Sequence, residues 1–333
     1  MNDLKLRSGK CRDNVLDRSV FKIQGSALDQ KRGFPLLNSN EVRMTSDPVT
    51  IPTVHCGRLA VYAAVNGLAA KGAVPETIMP VILLPENTME SVLRRINREI
   101  AEVCQEENLR ICGGHTEVTG AVNCPIVTVS ACGRGMTQKK DYHIPDSRPE
   151  DLRILMTRWA GLEGSWILSQ SSEIPELDGF SSAFLHTISD FGSFLSVKRD
   201  AQIAAENGAM GMINLSEGGV FAGLWKLAKT AGCGFEIELK NIPVRQETIE
   251  LTNALDINPY EMESAGSLLV LAGKNEAEMI CRELRAASIP VRELGCMKDS
   301  KACILRNEEE IRYLDSPGED SLQKYFDNSL RRL

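Results

Sequence analysis

Three short segments of the 333-residue chain carry the residue types that nucleotide chemistry needs. They are TSDP at 45–48, CGGHTE at 112–117 and LSEGG at 215–219. A glycine pair lets backbone N–H groups approach an anion, and the N-terminus of a helix adds favourable dipole charge. Carboxylates such as Asp47 and Glu117 can hold Mg²⁺ against phosphate oxygens, because Mg²⁺ prefers hard oxygen ligands. Together the three segments suit a nucleoside triphosphate.

The same segments supply the candidate site residues. We predict His115 and Glu117 as catalytic residues, and Asp47 and Glu117 as metal ligands. His115 can act as a general base only if its pKa lies near the working pH. The predicted nucleotide contacts are Asp47, Asn66, Gly113, Gly114, Thr116, Ser216, Gly218 and Gly219.

Structural interpretations compete with these roles. Asp47 could be an acid that ends a strand in a turn, and His115 with Glu117 could be a hydrogen-bonded turn pair. Asn66 could equally lie on the far side of its helix, and Ser216 is favoured as a helix N-cap over a catalytic group. The isolated histidines are expected to be structural: His55, His143 and His186. The chain contains neither a G-x-x-x-x-G-K-[ST] nor a G-x-G-x-x-G motif.

The composition argues against several classes of function. A net charge of −7 gives no basic stripe for nucleic-acid phosphates. No apolar run approaches the roughly 20 residues of a membrane span, and the charged stretch 1–10 has no signal-peptide core. None of the ten cysteines forms a CxxC pair, which favours reduced, mostly buried thiols over a metal or disulfide framework. We therefore expect a cytoplasmic globular protein that binds neither nucleic acid nor membrane.

Hydrophobic periodicity predicts strands that alternate with helices in both halves of the chain. In the first half, strands are expected at 41–46, 77–84, 109–112 and 125–131, with helices at 57–72 and from Asn87 to Asn108. Asn87 and Glu90 could form a capping box, and Pro80 suggests a sheet edge or a bulge. In the second half, strands are expected at 153–157, 211–215, 235–239, 267–271 and near 291 and 303, with helices within 184–205, from 216 and at 276–287. This order indicates an α/β or α+β chain, with a boundary in the polar stretch 138–151.

The order of these segments resembles the aminoimidazole ribonucleotide synthase-related superfamily. The stretches TSDP, GRLAVYAAVNGLAAKGAVP (57–75) and ICGGHTEVTG (111–120) resemble its amino-terminal domain. The stretches MINLSEGGVFAGLWKLAKTA (212–231) and NPYEMESAGSLLV (258–270) resemble its carboxy-terminal domain. Within the superfamily, the chain resembles the group nearest to the hydrogenase-maturation carbamoyl dehydratase.

The resemblance implies a PurM-like two-domain α/β fold. Residues 1–150 would form an ATP-binding domain whose sheet pairs with that of a second copy, giving a homodimer, and residues 151–333 the second domain. Mg²⁺ would be held by acidic residues. The implied chemistry is phosphoryl transfer from ATP to the oxygen of an amide or carbamoyl group, in a biosynthetic or hydrogenase-maturation-like step. The substrate would be a small molecule or a group carried by a protein.

Two departures from the family pattern support an alternative, a catalytically degenerate nucleotide-binding or scaffold protein, and a third concerns the end of the chain. The family's G-D-D-A segment corresponds here to residues 24–29, in which only Asp29 could serve. Its V-N-D-L-A helix reads VNGLA, with Gly67 in place of the metal-binding acid, and a neutral residue does not offset the charge of a cation. The dehydratase branch ends in a carbamoyl-accepting cysteine, whereas this chain ends in Arg331, Arg332 and Leu333. We therefore expect no carbamoyl-carrying tail.

Overall fold

Two β-sheets with packed helices make up the computed structural model, which describes residues 11, 13–24, 41–136, 148–171 and 174–330. A short helical stretch comes first: α1 (Asp13–Leu16), a π turn (Asp17–Phe21) and α2 (Lys22–Gln24). The first sheet and its helices follow: β1 (Val42–Val49), α3 (Cys56–Ala70), β2 (Ala73–Leu84), α4 (Glu90–Glu106), β3 (Arg110–Ile111), β4 (His115–Val118) and β5 (Ile126–Gly135). The strand order is β1-β5-β2-β3, and β4 also pairs with β2.

The second sheet has the order β12-β11-β8-β10-β6-β9-β7. Its strands are β6 (Leu152–Thr157), β7 (Ala209–Asn214), β8 (Gly234–Glu238), β9 (Leu268–Gly273), β10 (Val291–Lys298), β11 (Cys303–Asn307) and β12 (Glu310–Tyr313). The helices of this half are α5 (Leu162–Ser169), α6 (Ser182–Ser189), α7 (Lys198–Glu206), α8 (Gly219–Ala231), α9 (Gln246–Leu255), α10 (Lys274–Ala286) and α11 (Ser321–Leu330). Helix α8 packs its apolar side on one face, and α7 and α10 pack on the other.

The first sheet has one covered and one open face within the described residues. Val127, Val129 and Ala131 of β5 are fully buried in the core that contains α3 and α4. On the opposite face, Val42 and Met44 are 57% and 64% exposed. We call this second side the helix-free face. Strands that alternate buried and exposed residues are typical of a sheet covered on one side.

The structure corrects several predicted details. Strand β1 does not end before Asp47 but continues through Pro48 to Val49, which an edge strand permits because its outer N–H groups need no partner. The predicted capping box is wrong: Met89 is the N-cap of α4 without a side-chain bond, and Asn87 has φ 64°. Helix α8 has Gly218 as its N-cap, so the N-cap role favoured for Ser216 is also wrong.

Pro80 lies inside the sheet but at a break in pairing. Strand β2 pairs with β3 at Ile78 and with β4 from Val81 onward, so the ladder is interrupted beside Pro80. A Cβ on Gly114 would lie 2.7 Å from the Pro80 carbonyl oxygen. The glycine pair therefore allows the chain to pass closely around a residue that cannot donate a backbone hydrogen bond.

The predicted α/β fold class is confirmed, since two mixed sheets carry helices along the whole described chain. The first sheet ends at Gly135 and the second begins at Leu152, so the boundary near residue 150 stays a prediction that fits this division. No helix among the described residues is both long and apolar enough to span a membrane. The predicted roles of Asp29 and His143, and the chain end at 331–333, lie outside the described residues.

Candidate functional site

Asp47 lies on the covered face of the first sheet, against helix α3. Its Oδ2 accepts a hydrogen bond from Thr45 Oγ1 at 3.2 Å. A Cβ placed on Gly67 of α3 would be 3.3 Å from the same Oδ2. Gly67, where the sequence resemblance implies an acid, thus packs directly beside Asp47. Asp47 is a single carboxylate in a narrow space between β1 and α3.

His115 and Glu117 form an exposed pair on β4. His115 Nε2 lies 3.3 Å from Glu117 Oε2, and the two side chains are 62% and 54% exposed. Residues two apart on a strand share a face, which explains the contact. The sequence left open that His115 and Glu117 form a hydrogen-bonded pair in a turn. They form a pair within strand β4 instead, and the pairing of β4 with β2 fixes their position. The carboxylate can orient the imidazole ring through this contact.

Asp47 and Glu117 lie on opposite faces of the first sheet. Asp47 pairs with Val129, which pairs with Pro80, and all three point to the helices. His115 pairs with Val81, which neighbours Pro80 and so points the other way. Three strand spacings of about 4.8 Å separate β1 from β4 by roughly 14 Å. A Mg²⁺ ion shared by Asp47 and Glu117 of one chain is therefore incompatible with the structure.

Asn66 is fully buried and joins the two halves of the molecule. Its Nδ2 donates to the Leu195 carbonyl at 2.7 Å, and its Oδ1 accepts from the Val197 N–H at 2.9 Å. Both ends of the carboxamide have protein partners, so a phosphate or metal-water contact would require these bonds to break. The contact predicted for Asn66 stays a prediction, and a structural role accounts for its burial.

The Gly218–Gly219 turn lies at the start of α8, and its backbone N–H groups donate hydrogen bonds to other residues of the chain. The two glycines have φ values of 78° and 60°, the left-handed region that favours glycine. Gly218 N donates to Asp320 Oδ2 at 2.6 Å, and Gly219 N donates to the Ser216 carbonyl at 2.9 Å. A Cβ on Gly219 would meet the Met262 carbonyl oxygen at 2.6 Å. The anion predicted at this turn is therefore, in this conformation, the chain's own Asp320 carboxyl group.

A cluster of carboxyl groups beside this turn was missed by sequence reasoning. Glu163 and Glu263 share a side-chain hydrogen bond, and Asp320 is 1% exposed. Burial raises the pKa of Glu263 well above its ordinary value, and the charge of Glu163 adds to the shift. Burial also raises the pKa of Glu163. These acids are separated by up to 157 positions (163 to 320), so no local spacing in the sequence indicates the cluster.

The two other described histidines each lie near a carboxylate. His55 Nδ1 lies 2.8 Å from Glu99 Oε1, and its ring is 5.0 Å from that of Trp166. His186 lies 3.8 Å from Asp190 at the surface. All ten cysteines fall within the described ranges and are free thiols, of which four are buried: Cys56, Cys104, Cys281 and Cys303. Over the same ranges, no three His, Cys, Asp or Glu residues are grouped to hold a metal ion.

Comparison with known proteins places this geometry in a family. AIR synthase related protein matches as an N-terminal domain at residues 36–135 and as a C-terminal domain at residues 190–306. The carbamoyl dehydratase HypE of Rhodobacter capsulatus is 30% identical over 243 residues, which are 72% of this chain and 68% of that protein. The chain belongs to the AIR synthase related family.

Solved structures show the same fold. HypE of Escherichia coli superposes with a TM-score of 0.73 at 20% identity, covering 87% of this chain and 90% of that one. A hydrogenase maturation protein HypE in complex with ATP superposes with a TM-score of 0.71 at 19% identity, covering 93% and 95% of the two chains. The PurM-like two-domain fold predicted from the sequence is confirmed, together with the resemblance to the hydrogenase-maturation branch.

Proposed function

We propose that this family member is an ATP-dependent enzyme that activates the oxygen of an amide or carbamoyl group in a hydrogenase-maturation-like step, acting in the cytoplasm. The similarity to carbamoyl dehydratase HypE and to a HypE structure in complex with ATP supports this class of reaction. In the proposed step, the amide oxygen attacks the γ-phosphorus, and the bond to the β–γ bridging oxygen breaks to release ADP. The phosphorylated oxygen then leaves as phosphate, which removes the elements of water from the carbamoyl group.

The His115–Glu117 pair is the observation that carries the proposal. The two side chains touch at 3.3 Å on the helix-free face, and Gly113 and Gly114 lie exposed immediately before them. The amide nitrogen loses two protons: one passes to solvent once the oxygen is phosphorylated, and we assign His115 to accept the other as the oxygen departs, with Glu117 holding the imidazole. Exposed backbone at the glycine pair, with Thr116 beside it, can approach phosphate oxygens.

The residues present fit a two-carboxylate Mg²⁺ site poorly. Asp47 can supply one oxygen ligand, and Mg²⁺ in nucleotide sites is often bound by one or two carboxylates together with phosphates and waters. Glu117 lies across the sheet and cannot join it, and Gly67 offers no second acid. In the proposed phosphoryl transfer, this chain's own residues therefore position the reacting groups, and no proposed step depends on a bound metal ion.

The helix-free face supports the proposal of a homodimer. It presents the exposed apolar side chains of Val42, Met44, Val74 and Met79. These side chains come from β1 and β2 and share one face of the sheet, and exposed apolar surface on one face can mark an interaction site. Paired with the same face of a second copy, it would bring His115 and Glu117 to the border of the interface, where closure can exclude water.

The alternative is a nucleotide-binding or scaffold protein without catalysis. Two observations favour it. Gly67, not an acid, lies beside Asp47, and the Gly218 N–H is already bonded to Asp320. The two readings differ in whether phosphate is formed.

Oxygen-18 transfer distinguishes them. A carbamoyl substrate with ¹⁸O in its carbonyl group is incubated with ATP, and the released phosphate is analysed by ³¹P NMR. The proposed enzyme yields phosphate carrying one ¹⁸O, and His115→Ala lowers its rate by on the order of 10²–10⁴. Unlabelled phosphate would exclude attack by the carbamoyl oxygen, and no phosphate would favour the scaffold.

A further inference from the structure

Strand β12 forms one edge of the second sheet within the described residues. It pairs with β11 on one side, and no other described strand pairs with its second side. All four residues of β12 are exposed, and its two large apolar side chains, Ile311 and Tyr313, are 47% and 68% exposed. An edge strand of this kind offers its backbone to a further strand.

One hydrogen bond shows which backbone groups of β12 point outward. The Leu314 N–H donates to the Cys303 carbonyl at 2.8 Å, towards β11. Backbone groups of successive residues in a strand point to alternate sides, so those of Arg312 also face β11. The N–H and C=O groups of Ile311 and Tyr313 therefore point away from β11, where a further strand could bond to them.

The two residues of β12 whose backbone groups face β11 carry opposite charges. Arg312 and Glu310 side chains are 59% and 52% exposed, and Arg312 Nε lies 2.8 Å from Glu310 Oε1 on one face of the strand. Ile311 and Tyr313 point to the other face. Charges on an edge strand usually prevent pairing with other chains. Because the two signs alternate here, their effect depends on the register in which a strand approaches.

A second copy of β12 can pair antiparallel in only a few registers. Outward backbone groups of two symmetry-related strands meet only if the two-fold axis passes at a residue and not between two residues. An axis at Glu310 or at Arg312 would set like charges directly opposite, which destabilises a sheet. An axis at Tyr313 would pair only the end of the strand. An axis at Ile311 sets Glu310 of each copy opposite Arg312 of the other.

We propose that β12 is a self-association surface, through which two copies of this chain join their second sheets in the register centred on Ile311. The two Ile311 residues exchange backbone hydrogen bonds, and two Glu310–Arg312 pairs form on one face of the joined strands. The apolar side chains of Ile311 and Tyr313 lie on the other face. This surface belongs to the second sheet, so it acts independently of the helix-free face and of ATP.

The contact is small, so the association is weak. Four residues from each copy bury far less than the roughly 800 Å² per partner of a stable interface. The dissociation constant is expected on the order of 0.1 mM. At much lower concentrations the chain keeps the oligomeric state that the helix-free face determines.

Sedimentation equilibrium of the full-length protein, from about 1 µM to about 1 mM, tests the surface. The weight-average mass of the wild type is expected to rise towards at least twice its low-concentration value. Glu310→Arg and Arg312→Glu each set like charges across the axis and should weaken this association by roughly tenfold or more. Arg282→Glu, in an exposed ion pair of α10, is the matched control and should associate like the wild type.

Mixing the two variants makes the test specific for the register. Glu310→Arg carries two basic residues on β12 and Arg312→Glu two acidic ones, so an equimolar mixture again sets opposite charges across the axis. The mixture and the double variant Glu310→Arg/Arg312→Glu are expected to associate within about threefold of the wild type. A wild-type mass that stays constant overturns the proposal, as do single variants that associate like the wild type. Failure of both the mixture and the double variant to recover association overturns it as well.

Discussion

Gly67 on α3 faces the carboxylate of Asp47 on β1, and a Cβ on Gly67 would lie 3.3 Å from Asp47 Oδ2. The family motif that this helix resembles has an acid at this position, so the two carboxylates would stand side by side. Paired carboxylates bind a divalent cation through charge that a single one cannot supply. This one difference from the family motif would weaken the proposed metal site without any change in the fold.

Restoring the acid with Gly67→Asp is expected to strengthen Mg²⁺-dependent ATP binding by on the order of tenfold, about 1.4 kcal/mol. The Asp47 side chain must move by a few tenths of an ångström to admit the new side chain. Calorimetric titration with ATP, with and without Mg²⁺, measures the effect. Gly67→Asn is the matched control, because it has the same shape without the charge, and an equal gain in Gly67→Asn would contradict the explanation.

Asp47 and Glu117 are expected to act independently, because they lie on opposite faces of the sheet. In a double-mutant cycle on kcat/KM for ATP hydrolysis, Asp47→Ala and Glu117→Ala should be additive within about 0.5 kcal/mol. His115→Ala with Glu117→Ala is the comparison cycle, since these side chains touch and should couple by about 0.5–3 kcal/mol. Coupling of that size between Asp47 and Glu117 would mean that one metal ion contacts both.

The sequence predicted most strands of the two sheets and the chemistry-bearing segments, but it missed α5, α9 and α11 and did not show which face each side chain takes. Asp47 and Glu117 each follow a predicted strand, and only the register through Val129 and Val81 shows that they point in opposite directions. The chain passes through Pro48 because β1 is an edge strand, a fact of sheet order that no local pattern contains. Asp320 was missed because its partners, Gly218 and the acids, are distant in sequence.

If the helix-free face forms the dimer interface, one charged substitution in it should disrupt the dimer. Met44 is 64% exposed on the edge strand β1, and in a dimer formed through this face Met44→Glu would place two carboxylates in the interface without partners. Sedimentation velocity is expected to show a dimer for the wild type and a monomer for Met44→Glu. Met89→Glu, at a residue that is 71% exposed before α4, should remain dimeric. A monomeric wild type would refute the proposed interface.

Asn66 is expected to contribute to stability through its contact between the two halves. Asn66→Ala leaves the buried Leu195 carbonyl and Val197 N–H without partners, at a cost of about 1–3 kcal/mol for each. Urea unfolding measures the loss. Asn97→Ala, which removes an exposed bond to the Leu93 carbonyl, should change the free energy of unfolding by less than about 0.5 kcal/mol. Unchanged stability with lost ATP affinity would instead support the nucleotide contact predicted for Asn66.

The central claim, ATP dependence, is tested most directly by calorimetric titration of the wild-type protein with ATP in the presence and absence of Mg²⁺. The proposed enzyme should bind ATP with a Kd on the order of micromolar, about −8 kcal/mol. Asp47→Ala should weaken only the Mg²⁺-dependent part of this binding. The absence of binding to wild-type protein in both conditions would contradict the proposed function.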